Sequence, residues 1–315
     1  MALCLPGMGT AVHEKSDDRS DPRSILAPLS AFAGDIKLTH TIFAMPFALL
    51  SAFLAADGVP GWGVLVLIIV CMVLARSFAM GMNRLLDARL DAMNPRTAGR
   101  AIPAKRLTKA QATTITLCCA ALFVLATSGF YFFFHNPWPL VLSGPALAFV
   151  GVYPLFKRLT SLVHYWLGAA LGLAPLCAWI AVAGLPTTWL PVLLGMAVMC
   201  WTAGFDIIYG AQDHESDVKT GVNSMPVTLG VGRALWVSRV THLAAMGLFV
   251  ACGLVSARLD AIWGVMLGVV AVLLLIEHLA VRASDLSRVN LAFFTINGVI
   301  ALLLGAAGIL DVLSG

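Results

Sequence analysis

Two groups of side chains have the types and spacing of a metal and phosphate site. Asn83, Asp87 and Asp91 stand at i, i+4 and i+8, and Asp206, Tyr209, Asp213 and Asp217 follow at steps of three, four and four. On a helix, either set falls along one face. Carboxylates one turn apart repel by about a few tenths of a kcal/mol on an isolated helix, and by more at low dielectric. A divalent cation removes that conflict, and magnesium commonly takes one or two carboxylates together with substrate phosphates. Asp87, Asp91, Asp213 and Asp217 are therefore the expected Mg2+ ligands. Asp206 lies inside the apolar stretch 201–208. An ionisable group there costs about 2.5–3.5 kcal/mol on insertion scales and points to function. A lone DxxxD is explained well enough by solvated loop carboxylates; two of them, each ending an apolar stretch, are not.

Basic residues accompany both groups. Arg84, Arg89, Arg96, Arg100, Lys105, Arg106 and Lys109 surround or follow the first, Lys157 and Arg158 follow Tyr153, and Lys219 follows the second. Arginine grips phosphate through two parallel hydrogen bonds and lysine acts as a point charge. Anchoring at lipid headgroups suffices for Lys105, Arg106 and Lys109. Arg96 and Arg100 fit either role, whereas Lys157, four residues after Tyr153 on one helical face, reads as a phosphate ligand.

The elements that must position these groups span a membrane. Of 315 residues, 60% are hydrophobic and 11% charged, and the mean hydropathy is +0.91. Soluble domains carry about 25% charged residues. Nine apolar stretches approach the roughly 20 residues needed to cross a bilayer: 38–56, 61–82, 111–134, 138–156, 162–183, 187–208, 234–255, 261–281 and 290–312. The predicted fold is all-α, with this nine-helix domain over 35–315 and a flexible polar tail over 1–34. The tail lacks a basic start before an apolar core, so it does not read as a secretory signal; residues 24–32 are expected to form a short interfacial helix. With nine spans, nineteen of the 20 Lys and Arg fall on the tail side of the membrane or at adjoining helix ends, and Arg258 falls opposite. The positive-inside rule makes the tail side, with both carboxylate loops, cytoplasmic, which suits an inner-membrane protein. The net charge of +4, spread over short loops, gives no reason to expect a nucleic-acid partner. The seven cysteines show no ligand spacing and read as apolar filler. His40 either faces a cavity or is a satisfied core histidine, while Glu277, His278 and Asn297 read as packing or interfacial residues.

The loops after the second and sixth spans share a pattern. Asp87-x3-Asp91 followed by Arg96 to Pro103 parallels Asp213-x3-Asp217 followed by Thr220 to Pro226, about 126 residues apart. This weak repeat suggests two helix groups facing one cavity.

The chain resembles the UbiA superfamily of membrane prenyltransferases. The Nx3Dx3D motif is matched by Asn83, Asp87 and Asp91, the arginine-rich run by Arg96, Thr97, Arg100 and Pro103, YxxxK by Tyr153 and Lys157, and DxxYxxxDxxxD by Asp206, Tyr209, Asp213 and Asp217. The resemblance covers about 35–312. It implies nine helices around a central cavity, Mg2+ held by both aspartate motifs, and a polyprenyl diphosphate whose tail leaves toward lipid. Arg84 stands where many members carry aspartate; with the run 39–48, this resembles the quinone-pathway branch, whose acceptors are 4-hydroxybenzoate or a naphthoate. In that chemistry Asn83, Arg84, Arg96, Arg100, Tyr153 and Arg158 are expected to bind substrate, with Arg84 and Arg158 the partners for the acceptor's carboxylate. Lys157 would assist the leaving diphosphate, Tyr209 would contact the cation or diphosphate, and Asp206 would orient or deprotonate the acceptor. A secondary transporter would share the helix count and Asp206, but transporters place charged sites near the midplane, whereas these carboxylates gather at one interface. An assembly protein would leave the paired clusters unexplained.

Overall fold

A computed structural model describes residues 26–36 and 43–315. His40 and most of the expected tail lie outside the described residues. Twelve α-helices are described, with no strand among the described residues. They are α1 (Leu26–Ile36), α2 (Met45–Ala56), α3 (Trp62–Met93), α4 (Lys109–Phe134), α5 (Trp138–Phe156), α6 (Val163–Ala183), α7 (Leu190–Gly210), α8 (His214–Thr220), α9 (Met225–Leu229), α10 (Val231–Val255), α11 (Ala261–Ala280) and α12 (Asn297–Ser314). A 3-10 turn, Ala211–Asp213, joins α7 to α8, and a π-helical turn, Leu291–Ile296, leads into α12. Eight stretches are long and apolar enough to cross a bilayer, with Met45–Ala56 as a shorter apolar helix. The expected first span, 38–56, is described only from residue 43. The protein is thus a multi-pass membrane protein.

Local signals set the helix ends. Proline, which lacks the amide that the first turn leaves free, opens α2, α5, α7 and α9. Thr108 and Gln111 close a reciprocal capping box on α4. The largest departure from the expected spans is α3. Its 32 residues make a rod of about 48 Å, well beyond the ~30 Å hydrocarbon core. The apolar stretch ends near residue 82, but the helix continues and carries Asn83, Asp87 and Asp91 out on one unbroken face.

Successive helices pack side by side, and α12 returns against α2, closing a ring. The short α2 also packs against α6 across that ring, dividing its interior. One half, built from α2, α7, α10, α11 and α12, is solid: Phe47, Leu50, Trp201, Phe249, Trp263 and Leu304 are buried in a single core. The other half, α3 to α6, forms a partly open cavity of about 200 Å³. In the solid half, Asn297 accepts from the Trp201 indole at 2.9 Å and donates to Glu277 at 2.8 Å, so both act as packing residues, as expected. His278 meets His242 across 2.9 Å.

Close approach of α6 and α7 depends on glycine. A Cβ on Gly168 would collide with the Met199 carbonyl, and one on Gly195 would sit 2.8 Å from the Gly172 carbonyl oxygen. Small residues one turn apart let membrane helices touch backbone to backbone. The helix α1 is docked rather than free: Phe32 and Ile36 are buried against Ala101, Leu107 and Ala112, and Asp35 accepts from the Ala101 amide at 2.7 Å. Residues 26–34 of the expected tail therefore belong to a packed helix, because an apolar stripe there finds a partner in the loop after α3.

Candidate active site

The first motif forms a paired network at the projecting end of α3. Asp87 and Asp91 are only 1% and 6% exposed. Asn83 donates to Asp87 Oδ2 at 2.9 Å, and the same oxygen takes the Lys157 ammonium from the end of α5. Arg100 donates to Asp91 Oδ1 at 2.6 Å. Arg84 donates to Asn83 at 3.1 Å and stands 3.8 Å from Asp91 Oδ2. The Thr97 hydroxyl holds the Asp91 carbonyl at 3.0 Å, folding the loop back so that Arg100 reaches its carboxylate. Asp87 Oδ1 and Asp91 Oδ2 remain buried without a hydrogen-bond donor.

The second motif does not lie on one continuous helix, as its spacing suggests. Asp206 and Tyr209 are on α7, Asp213 ends the 3-10 turn and Asp217 is on α8. The turn swings Asp213 toward the first motif. Asn94 donates to its Oδ1 at 3.0 Å, and the Arg96 guanidinium engages both its oxygens, with Nε at 2.8 Å from Oδ1. Arg96 also donates to the Tyr209 hydroxyl at 3.0 Å and lies 5.2 Å from that ring's centre. Burial works against the Arg96 charge, but the hydrogen bonds to Asp213 together with the nearby charges of Asp213, Tyr209 and Asp91 outweigh it and hold its proton affinity above the usual arginine value. Phe293, on the π-helical turn, packs on Tyr209 with ring centres 4.1 Å apart. Ser224 donates to Asp217 Oδ2 at 3.1 Å. Asn94 and Arg96, from the loop after the first motif, thus bind Asp213 of the second.

Among the described residues, no three His, Cys, Asp or Glu side chains converge closely enough to bind a metal by themselves. The fit to Mg2+ is nevertheless chemical. Two buried carboxylate oxygens lack donors, every acidic ligand offers hard oxygen, and Mg2+ usually completes its shell with water and phosphate oxygens. The arrangement suits an ion shared with a diphosphate, not a closed protein cage.

Tyr153 links this network to the cavity. It lies within electrostatic reach of Arg84, Asp87 and Asp206, and it lines the apolar space with Met72, Phe123, Leu147, Leu171 and Arg76. Arg76 is the residue that sequence reasoning missed, being counted among the basic residues at helix ends. Its Nε is buried with no partner. The signal was present: a cation inside an apolar span, seven residues before Asn83 and so on the same face of α3. Arg158, by contrast, is exposed and donates to the Leu86 carbonyl at 2.6 Å. It ties the end of α5 to α3 and lies within electrostatic reach of Asp87, outside the residues that line the cavity. Arg84 is packed among Asn83 and Asp91. A second missed residue is His164, at the start of α6, whose Nδ1 is 2.7 Å from Asp206 Oδ2.

Residues 44–299 match the sequence profile of the UbiA prenyltransferase family. The 4-hydroxybenzoate octaprenyltransferase of Tolumonas auensis is 32% identical over 203 residues, covering 62% of this chain and 68% of that protein. That of Saccharophagus degradans is 37% identical over 185 residues, covering 57% of this chain and 58% of that protein, less than two thirds of its length. Among solved structures, the apo UbiA homolog from Aeropyrum pernix K1 superposes with a TM-score of 0.76 at 30% identity, over 87% of this chain and 98% of that one. A UbiA homolog from Archaeoglobus fulgidus bound to DMAPP and Mg2+ shares the fold, with a TM-score of 0.70 at 18% identity over 90% of this chain and 99% of that one.

Proposed function

Because the chain belongs to the UbiA prenyltransferase family, we propose that it transfers a polyprenyl group from a polyprenyl diphosphate to a hydroxylated aromatic acid in quinone biosynthesis. The acceptor is 4-hydroxybenzoate or a dihydroxynaphthoate. The observation that carries the acid acceptor is Arg76: a guanidinium with an unpartnered Nε in a mostly apolar cavity, where it is the one charged lining residue among the described residues, is complementary to a carboxylate on a flat apolar ring. The same reading draws on the relatives above, which are named for 4-hydroxybenzoate.

Mg2+, held by Asp87, Asp91, Asp213 and Asp217 together with the diphosphate, would supply Lewis-acid neutralisation of the leaving group. Lys157, Arg100 and Arg96 lie where they can exchange carboxylate partners for diphosphate oxygens. As the allylic carbon–oxygen bond breaks, its electron pair leaves with the diphosphate. A ring carbon ortho to the acceptor's hydroxyl then donates a π pair to the allylic carbon, and the displaced ring proton passes to Asp206. The Tyr209 ring, braced by Phe293, offers its electron-rich face to the developing cation. The apolar walls of the cavity keep water from quenching that cation.

Purified protein given Mg2+, a polyprenyl diphosphate and 4-hydroxybenzoate or a dihydroxynaphthoate should release diphosphate and form the C-prenylated acid. Transfer to haem, a chlorophyllide or a glycerol phosphate, with neither aromatic acid used, would overturn the acceptor and leave prenyl transfer standing. The N-terminal segment and the carboxylate loops are proposed to face the cytoplasm of the inner membrane. A cysteine placed near Gly99 should then resist an impermeant thiol reagent added from the periplasmic side.

A further inference from the structure

We propose that His164 is a positioning residue that presents one oxygen of Asp206 as the proton acceptor and couples that carboxylate to the segment carrying Asp217. The proposal rests on the reading of Asp206 as the base.

The hydrogen bonds around His164 leave no choice of tautomer. The Met225 backbone amide donates to its Nε2 at 3.3 Å. A backbone N–H can only donate, so Nε2 keeps its lone pair, and the proton of the neutral ring is on Nδ1. Nδ1 faces Asp206 Oδ2 at 2.7 Å, so it donates to that oxygen. One lone pair of Oδ2 is thereby engaged, which lowers that oxygen's basicity relative to Oδ1. Among the described residues no donor reaches Oδ1, and the Asp206 side chain keeps 20% of its surface exposed while that of His164 keeps 5%. The buried imidazole thus selects Oδ1 as the oxygen that receives the ring proton. When the proton arrives, the carboxylate becomes a neutral acid at Oδ1, and the bond from Nδ1–H to Oδ2 persists.

The link continues beyond the ring. Ser224, the neighbour of Met225, donates to Asp217 Oδ2 at 3.1 Å. A chain of contacts therefore runs from Asp206 through His164 and the 224–225 backbone to Asp217, joining the proposed base on α7 to a proposed metal ligand on α8 by way of α6 and the start of α9. The seat is built for the ring: a Cβ on Gly210 would lie 3.1 Å from His164 Cε1, and the glycine contacts of α6 with α7 set the helix spacing that brings the two side chains together. A buried histidine that merely joins two helices would show the same contacts, so the test must separate positioning from stability.

Glutamine provides the separation, because its neutral amide carries one donor and one acceptor face and so can replace both bonds. In the full-length protein assayed with Mg2+, polyprenyl diphosphate and the aromatic acid, His164→Ala should lower single-turnover rate roughly 10- to 100-fold, within what a positioned base contributes. The KM for prenyl diphosphate should stay within about twofold. His164→Gln should recover most of the rate. In an Asp206→Asn background, His164→Ala should have no further effect, since coupled residues are non-additive. Near-wild-type turnover by His164→Ala, an equal loss in the Asp206→Asn background, or a folded but slow His164→Gln would each overturn the positioning role. If His164→Ala fails to fold, the glutamine variant decides alone. Full activity of Asp206→Asn would instead remove the base reading itself.

Discussion

The two ends of the helix bundle use buried aspartate in opposite ways. At the end opposite the two motifs, Asp311 is 5% exposed, and its carboxylate accepts from the backbone amides of Asp260, Ile262 and Trp263 at 2.9, 3.2 and 2.7 Å. Those are the free amides at the start of α11, so the carboxylate is spent on capping. At the motif end, Asp87 is 1% exposed, yet it takes only side-chain partners, and its Oδ1 has none. Partners on flexible side chains can be exchanged for a ligand; backbone amides at a helix start cannot. The difference teaches that the burial of an acid does not mark a site, whereas the kind of partner it keeps does.

Removing the acids should break the symmetry between the ends. Asp87→Ala or Asp213→Ala should lower turnover by roughly three orders of magnitude, with the melting temperature of the detergent-purified protein little changed. Near-normal activity in either variant would remove the metal assignment. Next in size, Arg76→Ala should raise the KM for the aromatic acid by about 10- to 100-fold, the loss of a charge-assisted pair, and leave that for the prenyl diphosphate nearly unchanged. Equal effects on both constants would make Arg76 a structural cation. Asp311→Ala should give the converse pattern: a loss of roughly 1–3 kcal/mol in stability, from the amides it leaves bare, with unaltered KM values measured on the protein that remains folded.

The smallest effect is expected at Arg258, which donates to Asp57 at 2.5 and 2.7 Å on the exposed rim. The hydrogen bond from Arg258 holds the Asp57 carboxyl below its ordinary value of 3.8. An acid whose folded value is depressed contributes stability that is present above the unfolded value and is lost as pH falls through the folded one. Arg258→Ala should therefore lower the melting temperature slightly at neutral pH, and the gap should close as the medium is acidified below the ordinary aspartate range. A gap that widened in acid would show that the pair contributes by another route.

Much of this protein is legible in one dimension. The apolar stretches locate the spans because a bilayer leaves the backbone no partner but itself. Asn83, Asp87 and Asp91 were readable as one face because helical period alone brings them together. The second set obeys the same arithmetic but not the same geometry, since a 3-10 turn at Ala211–Asp213, directly after Gly210, interrupts the α-helix. Lys157 and Arg158 are adjacent in sequence, yet one engages the Asp87 carboxylate and the other the Leu86 carbonyl, a division that spacing alone does not reveal.

By itself the sequence determined the helical spans, the order of the motifs and the identity of the acids, all of which follow from local periodicity and side-chain chemistry. Only the tertiary structure decided that α2 crosses the ring and leaves the cavity between α3 and α6, that Arg76 opens into it, and that His164 meets Asp206. Those pairings join residues 42 positions apart or belong to different helices, and they depend on how closely α6 can approach α7. That distance is set by glycines meeting backbone carbonyls, a steric fit that exists only once the helices are packed.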